Sequence, residues 1–291
     1  MPQQDEFYEP ALAEIRDLKG TRPDLDSLLD YYQDVLRAQR ETKLSFHPGL
    51  DGLDIERGRE RIAQGVPFLR ADDMEVDWGL FDGLFDHIGR ISRARAEAPE
   101  ALGSWDSISG KNGKWHDALL RGLLEDKALL GDCADQAGIG LDLFTFLACQ
   151  SICPFLETYA ERVTETLDDS TPFGGHCPIC GGEPLMGKLE METGRKVLQC
   201  HLCRSEWAFR RLQCPFCGNS DQEKLRFFFD EADPVRRVEV CDVCKGYLKA
   251  VDARKAKREV TLFVENLATL HLDFIAEREG FRRETNRLFG P

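Results

Sequence analysis

Four Cys-x-x-Cys pairs restrict the fold of this 291-residue sequence more than any other feature. The pairs are Cys177/Cys180, Cys200/Cys203, Cys214/Cys217 and Cys241/Cys244. Two intervening residues allow a tight turn, or knuckle, to aim both sulfurs at one point, and two knuckles on neighbouring hairpins complete a tetrahedral four-sulfur metal site. Taken in sequence order, the pairs predict site 1 from the first four cysteines and site 2 from the last four.

The two predicted sites repeat one sequence unit. Residues 177–181 read Cys-Pro-Ile-Cys-Gly and residues 214–218 read Cys-Pro-Phe-Cys-Gly, while an aromatic residue, Trp207 or Tyr247, follows each second knuckle. Between the inner cysteines lie 19 residues in the first unit and 23 in the second, which suits a hairpin. A unit this small buries too little apolar surface to be stable alone, so a metal must supply folding energy. Eight scattered structural thiols would not explain the spacing.

The residues alone leave the metal open between iron and zinc. The Cys-Pro-x-Cys-Gly knuckle is shared by rubredoxins and zinc ribbons, and four thiolates accept either metal. Gly181 and Gly218 permit the positive φ that curls the chain under the sulfur. A rubredoxin has glycine after both pairs, whereas Arg204 and Lys245 follow the second pairs here. From spacing alone, zinc is favoured because it is the commoner metal in such sites.

The excess of acidic residues lies in the first part of the chain and most cysteines lie in the second part. Residues 1–176 hold 18 of the 38 basic residues and 34 of the 52 acidic residues, so this part carries a net charge of −16. Eight of the eleven cysteines lie between Cys177 and Cys244. The turn-rich stretch 168–175 marks the boundary. We predict an acidic helical bundle domain at 1–170, a first four-cysteine metal ribbon at 171–212, a second at 213–253, and at 254–291 a C-terminal helix and basic tail that pack back on the ribbons or the bundle.

Hydrophobic periodicity gives the fold class. Apolar residues at 3.6-residue spacing predict helices before the boundary, and short alternating segments predict strands after it. The predicted helices are 24–41, 75–95, 115–130 and 141–167, the last with a kink or break near Ser151–Cys153 because Pro154 follows. The predicted hairpins pair 185–191 with 195–199 and 224–230 with 235–240. The class is therefore α+β: an all-helical bundle, two tandem rubredoxin-like ribbons of short antiparallel hairpins, and a C-terminal helix.

Composition and missing motifs exclude several functions. No run of 18 apolar residues predicts a membrane span, and the first residues lack a secretory signal. An acidic chain is a poor generic binder of nucleic acid. Eleven cysteines without a signal favour the reducing cytoplasm. The chain has no nucleophile elbow, phosphate-binding glycine loop or H-E-x-x-H motif, and we expect no catalytic residue and no cofactor besides two metal ions.

Residues from about 170 to 290 resemble the formate dehydrogenase accessory protein family (FdhE type). All eight cysteines of the family pattern are present, within Cys177-Pro-Ile-Cys-Gly181, Cys200-His-Leu-Cys203-Arg-Ser-Glu-Trp207, Cys214-Pro-Phe-Cys217 and Cys241-Asp-Val-Cys244-Lys-Gly-Tyr247. The resemblance implies a cytoplasmic accessory protein that contacts the catalytic subunit of respiratory formate dehydrogenase before export. It also implies iron in rubredoxin-like sites, structural or redox-active, and thereby shifts the expected metal from zinc to iron.

Two other classes compete with this interpretation. A thiol–disulfide oxidoreductase also uses Cys-x-x-Cys, but it needs one exposed pair at a helix N-terminus in a βαβ setting. A zinc-ribbon adaptor for nucleic acid or transcription machinery conflicts with the near-neutral ribbons and the acidic N-terminal part. The sequence leaves open whether the chain forms a homodimer.

Several further residues allow a functional and a structural interpretation. Cys149 and Cys153, one helical turn apart, fit a third site or, more ordinarily, small buried side chains. His176 adjoins a knuckle and His201 lies within one, so either could contact a metal site, but the four thiolates are the favoured ligands. Trp207 and Tyr247 either shield a knuckle or face a client protein.

Two surface patterns remain open in the same way. In the run 227–229, Phe-Phe-Phe, successive side chains alternate across a strand, so one face must meet other parts of the chain or a partner. The pairs Arg210-Arg211 and Arg236-Arg237 either bind an acidic peptide or anion, or belong to a solvated strand face.

Overall fold

Amphipathic segments fold the first part of the chain into helices in the computed structural model, which describes residues 7–49, 53–96, 108–167 and 173–283. Asp54, Asp77 and Asn112 begin three of these helices, since each side chain accepts a hydrogen bond from the amide three residues on. The helices are α1 (Tyr8–Lys19), α2 (Asp26–Ser45), α3 (Ile55–Ala63), α4 (Trp78–Arg95), α5 (Gly113–Leu124), α6 (Leu129–Ala137) and α7 (Leu141–Thr164).

The central helix α7 is buried along most of its length, with α2, α4 and α6 packed around it. Of the predicted kink or break near Ser151–Cys153, the break is wrong, because α7 continues as one helix through Pro154. Proline cannot donate to the carbonyl four residues earlier, which here belongs to Gln150. Gln39 Nε2 on α2 donates to that carbonyl oxygen at 2.7 Å, so the helix loses no buried hydrogen bond.

The predicted helices 24–41 and 75–95 agree with α2 and α4 apart from their ends. The predicted helix 115–130 is two helices, because α5 ends at Leu124 and α6 begins at Leu129. Among the described residues, no single helix is long and apolar enough to cross a membrane; α6 and α7 meet that test only together, with a bend of 100° between them.

The second part of the chain forms one six-stranded mixed sheet. Its strands are β1 (Pro184–Leu189), β2 (Lys196–Cys200), β3 (Glu206–Phe209), β4 (Leu225–Asp230), β5 (Asp233–Cys241) and β6 (Tyr247–Asp252), in the order β3-β2-β1-β6-β5-β4. Both predicted hairpins, β1–β2 and β4–β5, are confirmed as antiparallel pairs. Parallel pairing of β1 with β6, where Gly187 lies opposite Ala250, joins the two ribbons into a single sheet. The proposed boundary at 170/171 lies outside the described residues.

Alternation along the strands gives the sheet two unlike faces. One face, with Met186, Val238 and Tyr247, packs under α8 (Ala253–Ala256), α9 (Leu262–Ala268) and α10 (Leu270–Arg278). On the opposite face, Leu198 and Trp207 join the core that contains the N-terminal helices. The β4 end of this opposite face remains exposed.

A buried lysine explains why the predicted C-terminal helix is interrupted at Thr269. Lys249 Nζ on β6 donates to the carbonyl oxygen of Asn266 at 2.8 Å and to the Asp273 carboxylate at 2.5 Å. Burial lowers the pKa of Lys249 to about 8. Arg283, at the start of the predicted basic tail, is buried beside Asp273. Residues 284–291 lie outside the described residues.

Candidate metal centres

The structure brings the eight cysteines of the four pairs together in two clusters. Within each cluster all four sulfurs lie within 4.8 Å of one another. In site 1, Cys177 Sγ lies 3.5 Å from Cys203 Sγ, and Cys180 Sγ lies 3.5 Å from Cys200 Sγ. In site 2, the Cys214–Cys244 and Cys217–Cys241 sulfur distances are both 3.7 Å. Each cluster takes its sulfurs from the group of four expected from sequence order.

These distances fit a tetrahedral thiolate site. They are far longer than the roughly 2.05 Å of a disulfide bond. Four sulfurs placed about 2.3 Å from a central ion form a tetrahedron whose edges are about 3.8 Å. Each cluster could therefore hold one metal ion with its coordination shell filled by sulfur.

One backbone turn builds all four knuckles. The N–H of each first cysteine donates to the carbonyl five residues on, from Cys177 to Gly182 (2.8 Å), Cys200 to Ser205 (2.9 Å), Cys214 to Asn219 (2.8 Å) and Cys241 to Gly246 (3.0 Å). The residue after each second cysteine is left-handed, with φ of +77° at Gly181, +57° at Arg204, +72° at Gly218 and +61° at Lys245. The sequence repeat is therefore also a structural repeat, even where glycine is absent.

Lys245→Gly is expected to raise the free energy of unfolding by about 0.5–1 kcal/mol, because a side chain at positive φ costs about 1–2 kcal/mol while glycine loses more backbone entropy on folding. Gly218→Ala, at the matching position of the other knuckle of site 2, is expected to lower stability by a similar amount. Urea unfolding of the metal-loaded proteins measures both. A lower free energy of unfolding in Lys245→Gly would contradict the inference that the backbone of Lys245 is strained at its positive φ.

Polar groups surround the sulfurs and offset thiolate charge. The amide of Leu202 donates to Cys200 Sγ at 3.4 Å, and the amide of Gly246 donates to Cys244 Sγ at 3.3 Å. Such contacts orient the ligands of a metal and tune its properties. A side chain at Gly182 would not fit, since its Cβ would lie 2.7 Å from Cys200 Sγ.

The two sites differ in their exposure to solvent. The four cysteines of site 1 are at most 3% exposed and belong to the largest apolar core. A loop before α4 holds the first knuckle, because the amides of Phe68 and Leu69 donate to the carbonyls of Pro178 and Ile179, both at 2.8 Å. Site 2 lies at the surface, where Cys217 and Cys244 are exposed.

A buried ionic network joins site 1 to the helices. Arg204, next to Cys203, pairs with Glu157 of α7 and donates to Gln39 Oε1 of α2 at 2.6 Å. Tyr8 of α1 donates to Glu157 at 2.9 Å, and Lys43 Nζ lies 3.3 Å from the same carboxylate. From the sequence, Arg204 was distinctive only because it stands where a rubredoxin has glycine. No local pattern indicates its distant partners.

The other cysteines belong to neither cluster. Cys149 and Cys153 are buried on α7, where Cys153 Sγ donates to the carbonyl oxygen of Cys149 at 3.0 Å. Burial raises the pKa of Cys149 to about 12 and raises that of Cys153 as well, so both favour the unreactive thiol. Cys133 is also buried. These environments fit small core side chains.

The histidines and aromatic residues near the knuckles have structural contacts. His201 Nδ1 lies 2.9 Å from the carbonyl oxygen of Glu183, while His176 is exposed; neither belongs to a cluster. Trp207 Nε1 donates to the carbonyl oxygen of Gly174 at 3.1 Å, and the Tyr247 hydroxyl donates to Asp273 at 2.9 Å. Both aromatic residues are buried, as expected for shielding the knuckles.

The fold and the sites together define a class of protein: a helical region followed by a mixed sheet that carries two four-cysteine clusters. The crystal structure of the FdhE protein from Pseudomonas aeruginosa has this fold, with a TM-score of 0.70, 23% sequence identity, and coverage of 100% of this chain and 98% of that chain.

Sequence comparisons identify the family. The FdhE central-domain model matches residues 176–211 and the FdhE C-terminal-domain model matches residues 212–289. The FdhE homologue of Pseudomonas aeruginosa is 33% identical over 255 residues, which cover 84% of this chain and 78% of that protein. The FdhE homologue of Aquifex aeolicus is 24% identical over 292 residues, which cover 97% of this chain and 95% of that protein. This chain belongs to the FdhE family.

Proposed function

We propose that this chain is a cytoplasmic accessory protein for respiratory formate dehydrogenase, and that it binds the catalytic subunit of that enzyme before export. The observation that carries the proposal is a pair of closed four-sulfur sites in a chain of the FdhE family. Family membership connects the chain with formate dehydrogenase, and the sites provide metal-stabilised structure on which a client can be recognised.

The eight clustered cysteines are the metal ligands in this proposal. Site 1 uses Cys177, Cys180, Cys200 and Cys203, and site 2 uses Cys214, Cys217, Cys241 and Cys244. We propose iron in both sites on the basis of the family resemblance, since the knuckles themselves accept iron or zinc. When bound, iron held by four thiolates supplies stability and can exchange one electron.

The absence of catalysis by this chain is also part of the proposal. Four thiolates fill a tetrahedral shell, whereas catalytic zinc sites keep one position for water or substrate. The pairs also lie on hairpin knuckles rather than at the helix N-termini that activate the cysteines of thiol–disulfide oxidoreductases. Both features favour a binding and maturation role over an enzymatic one.

Deletion of the gene for this chain is expected to abolish active respiratory formate dehydrogenase, and the wild-type gene is expected to restore it. Formate-dependent dye reduction measures the activity, and immunoblotting measures the amount of catalytic subunit. Copurification with the tagged catalytic subunit tests binding directly, with Arg16→Glu as an exposed-surface control. Full activity in the deletion strain, or no copurification of the wild type, would contradict the proposal.

A further inference from the structure

The uncovered end of the sheet contains a cavity beside site 2. Its volume is about 180 Å³, and its walls include Phe216, Leu225, Phe227, Leu248 and the site 2 ligand Cys214. A cavity of roughly 150 Å³ can hold a benzene molecule, while sites for whole small ligands usually measure about 300–1,000 Å³. The space therefore suits one apolar side chain better than a free metabolite.

The strand at the mouth of this cavity is an unprotected sheet edge. β4 pairs only with β5, and no other strand of the described chain covers its outer side. Phe227 and Phe229 are 58% and 44% exposed on the cavity side, with ring centroids 6.2 Å apart, whereas Phe228 points to the other face and packs near α10. A free edge with exposed aromatic residues can accept a partner strand.

The charged side chains in the cavity wall are mainly positive, although the chain as a whole carries −14: four cations, of which Arg226 is paired with Asp242, stand against the one carboxylate of Glu239. Lys196 and Arg237 share the single carboxylate of Glu239, at 2.5 Å each. Arg210 and Arg211 are exposed and have no carboxylate partner among the described residues, and Arg211 lies in the cavity wall. The other arginine pair in the sequence, Arg236-Arg237, is less available to a partner, since Arg236 is neutralised by Asp233 and Glu265.

From these features we propose that the β4 edge and the cavity beside site 2 bind an extended, acidic segment of a partner protein, which adds a strand to the sheet and places an apolar side chain in the cavity. Side chains of a strand alternate, so one face of the segment can fill the cavity while a carboxylate elsewhere on the segment meets Arg211 in the cavity wall. A second copy of this chain fits poorly, because it would bring the same cations to the edge.

This inference deepens the proposed function, since it assigns client recognition to a surface, and it can be tested without the client. The probe is a short fluorescein-labelled peptide in which phenylalanine alternates with glutamate, and the control peptide has lysine in place of glutamate. Fluorescence anisotropy with the metal-loaded full-length chain is expected to show saturable binding of the glutamate peptide only.

Variants locate the binding surface. Arg211→Glu and Phe227→Ser are each expected to weaken binding of the glutamate peptide about tenfold. The matched controls are Arg16→Glu on α1 and Phe274→Ser on α10, which change an exposed cation and an exposed phenylalanine away from the cavity. All four positions are exposed, and unchanged circular dichroism and metal content show that each variant is folded.

Three results would overturn the inference: no binding of the glutamate peptide, equal binding of the lysine peptide, or equal weakening by the control variants. Self-association that Phe227→Ser abolishes, measured by sedimentation, would assign the edge to a second copy and would also overturn it. Peptide binding without copurification of the formate dehydrogenase subunit would reject the proposed client while leaving this surface established. Copurification of the subunit without binding of the glutamate peptide would reject this surface while leaving the proposed client in place.

Discussion

Replacing Cys177 and Cys180 by serine is expected to unfold the whole chain, whereas replacing Cys214 and Cys217 is expected to leave the helical region folded. The first pair lies in the core shared with the N-terminal helices, while the second belongs to the surface site. A structural metal in small ribbons contributes about 10–16 kcal/mol, which is comparable to the whole stability of about 5–15 kcal/mol of a typical protein. Loss of site 1 therefore exceeds what the remaining contacts can offset.

The two double variants are matched, because both remove a Cys-Pro-x-Cys knuckle. Circular dichroism of the helices and protease resistance of the purified variants measure the outcome. The site 2 variant is expected to retain one metal ion and helical circular dichroism close to that of the wild type, since local unfolding at the surface leaves the larger core intact. Equal helix content in both variants would contradict the assignment of different structural roles to the two sites.

Glu157→Gln is expected to lower the free energy of unfolding by about 3–5 kcal/mol, because it leaves buried Arg204 without its carboxylate partner, whereas Lys43 keeps Glu161. Arg204, Lys43 and Glu157 are each at most 9% exposed, and Tyr8 donates to the same carboxylate. The change keeps the size of the side chain, so the loss reports charge rather than packing. Urea unfolding of metal-loaded protein measures it.

Glu161→Gln is the matched control for this network. Glu161 also pairs with Lys43, at 2.5 Å, but its side chain is 43% exposed. Lys43 is buried but keeps Glu157 as a partner in this variant, and the altered carboxylate is itself partly exposed. The variant is therefore expected to lose at most about 1 kcal/mol of stability. Equal destabilisation by the two glutamine variants would show that the network does not lock site 1 onto the helices.

Local patterns in the sequence predicted the hairpins and the grouping of cysteines later seen in the clusters. A knuckle is a turn of a few residues and β1–β2 is an adjacent hairpin, so spacing and alternation suffice to indicate them. Apolar periodicity indicates α2, α4, α5 and α7 in the same way, whereas α1 and α3 were not predicted. The ends of the helices were less predictable, because tertiary contacts decide where α5 stops and α6 begins.

Contacts between distant residues could not be predicted from one sequence. The continuity of α7 depends on Gln39, which is 111 residues from the carbonyl it satisfies. The joining of two ribbons depends on the parallel β1–β6 pair, and the burial of site 1 depends on packing against the helices. The alternation within the run 227–229 was expected, but only the fold shows that Phe227 and Phe229 face solvent.

The central claim is that all eight clustered cysteines are ligands of two closed metal sites. Its most direct test is to measure the metal content of freshly purified full-length protein and to titrate its thiols. We predict two ions per chain, absorption bands of ferric tetrathiolate, and no promptly reactive thiol until the protein is denatured with a chelator, since the remaining three cysteines are buried. Two zinc ions in a colourless sample would contradict only the choice of iron. A folded sample with no bound metal, or with eight promptly reactive thiols, would contradict the claim itself.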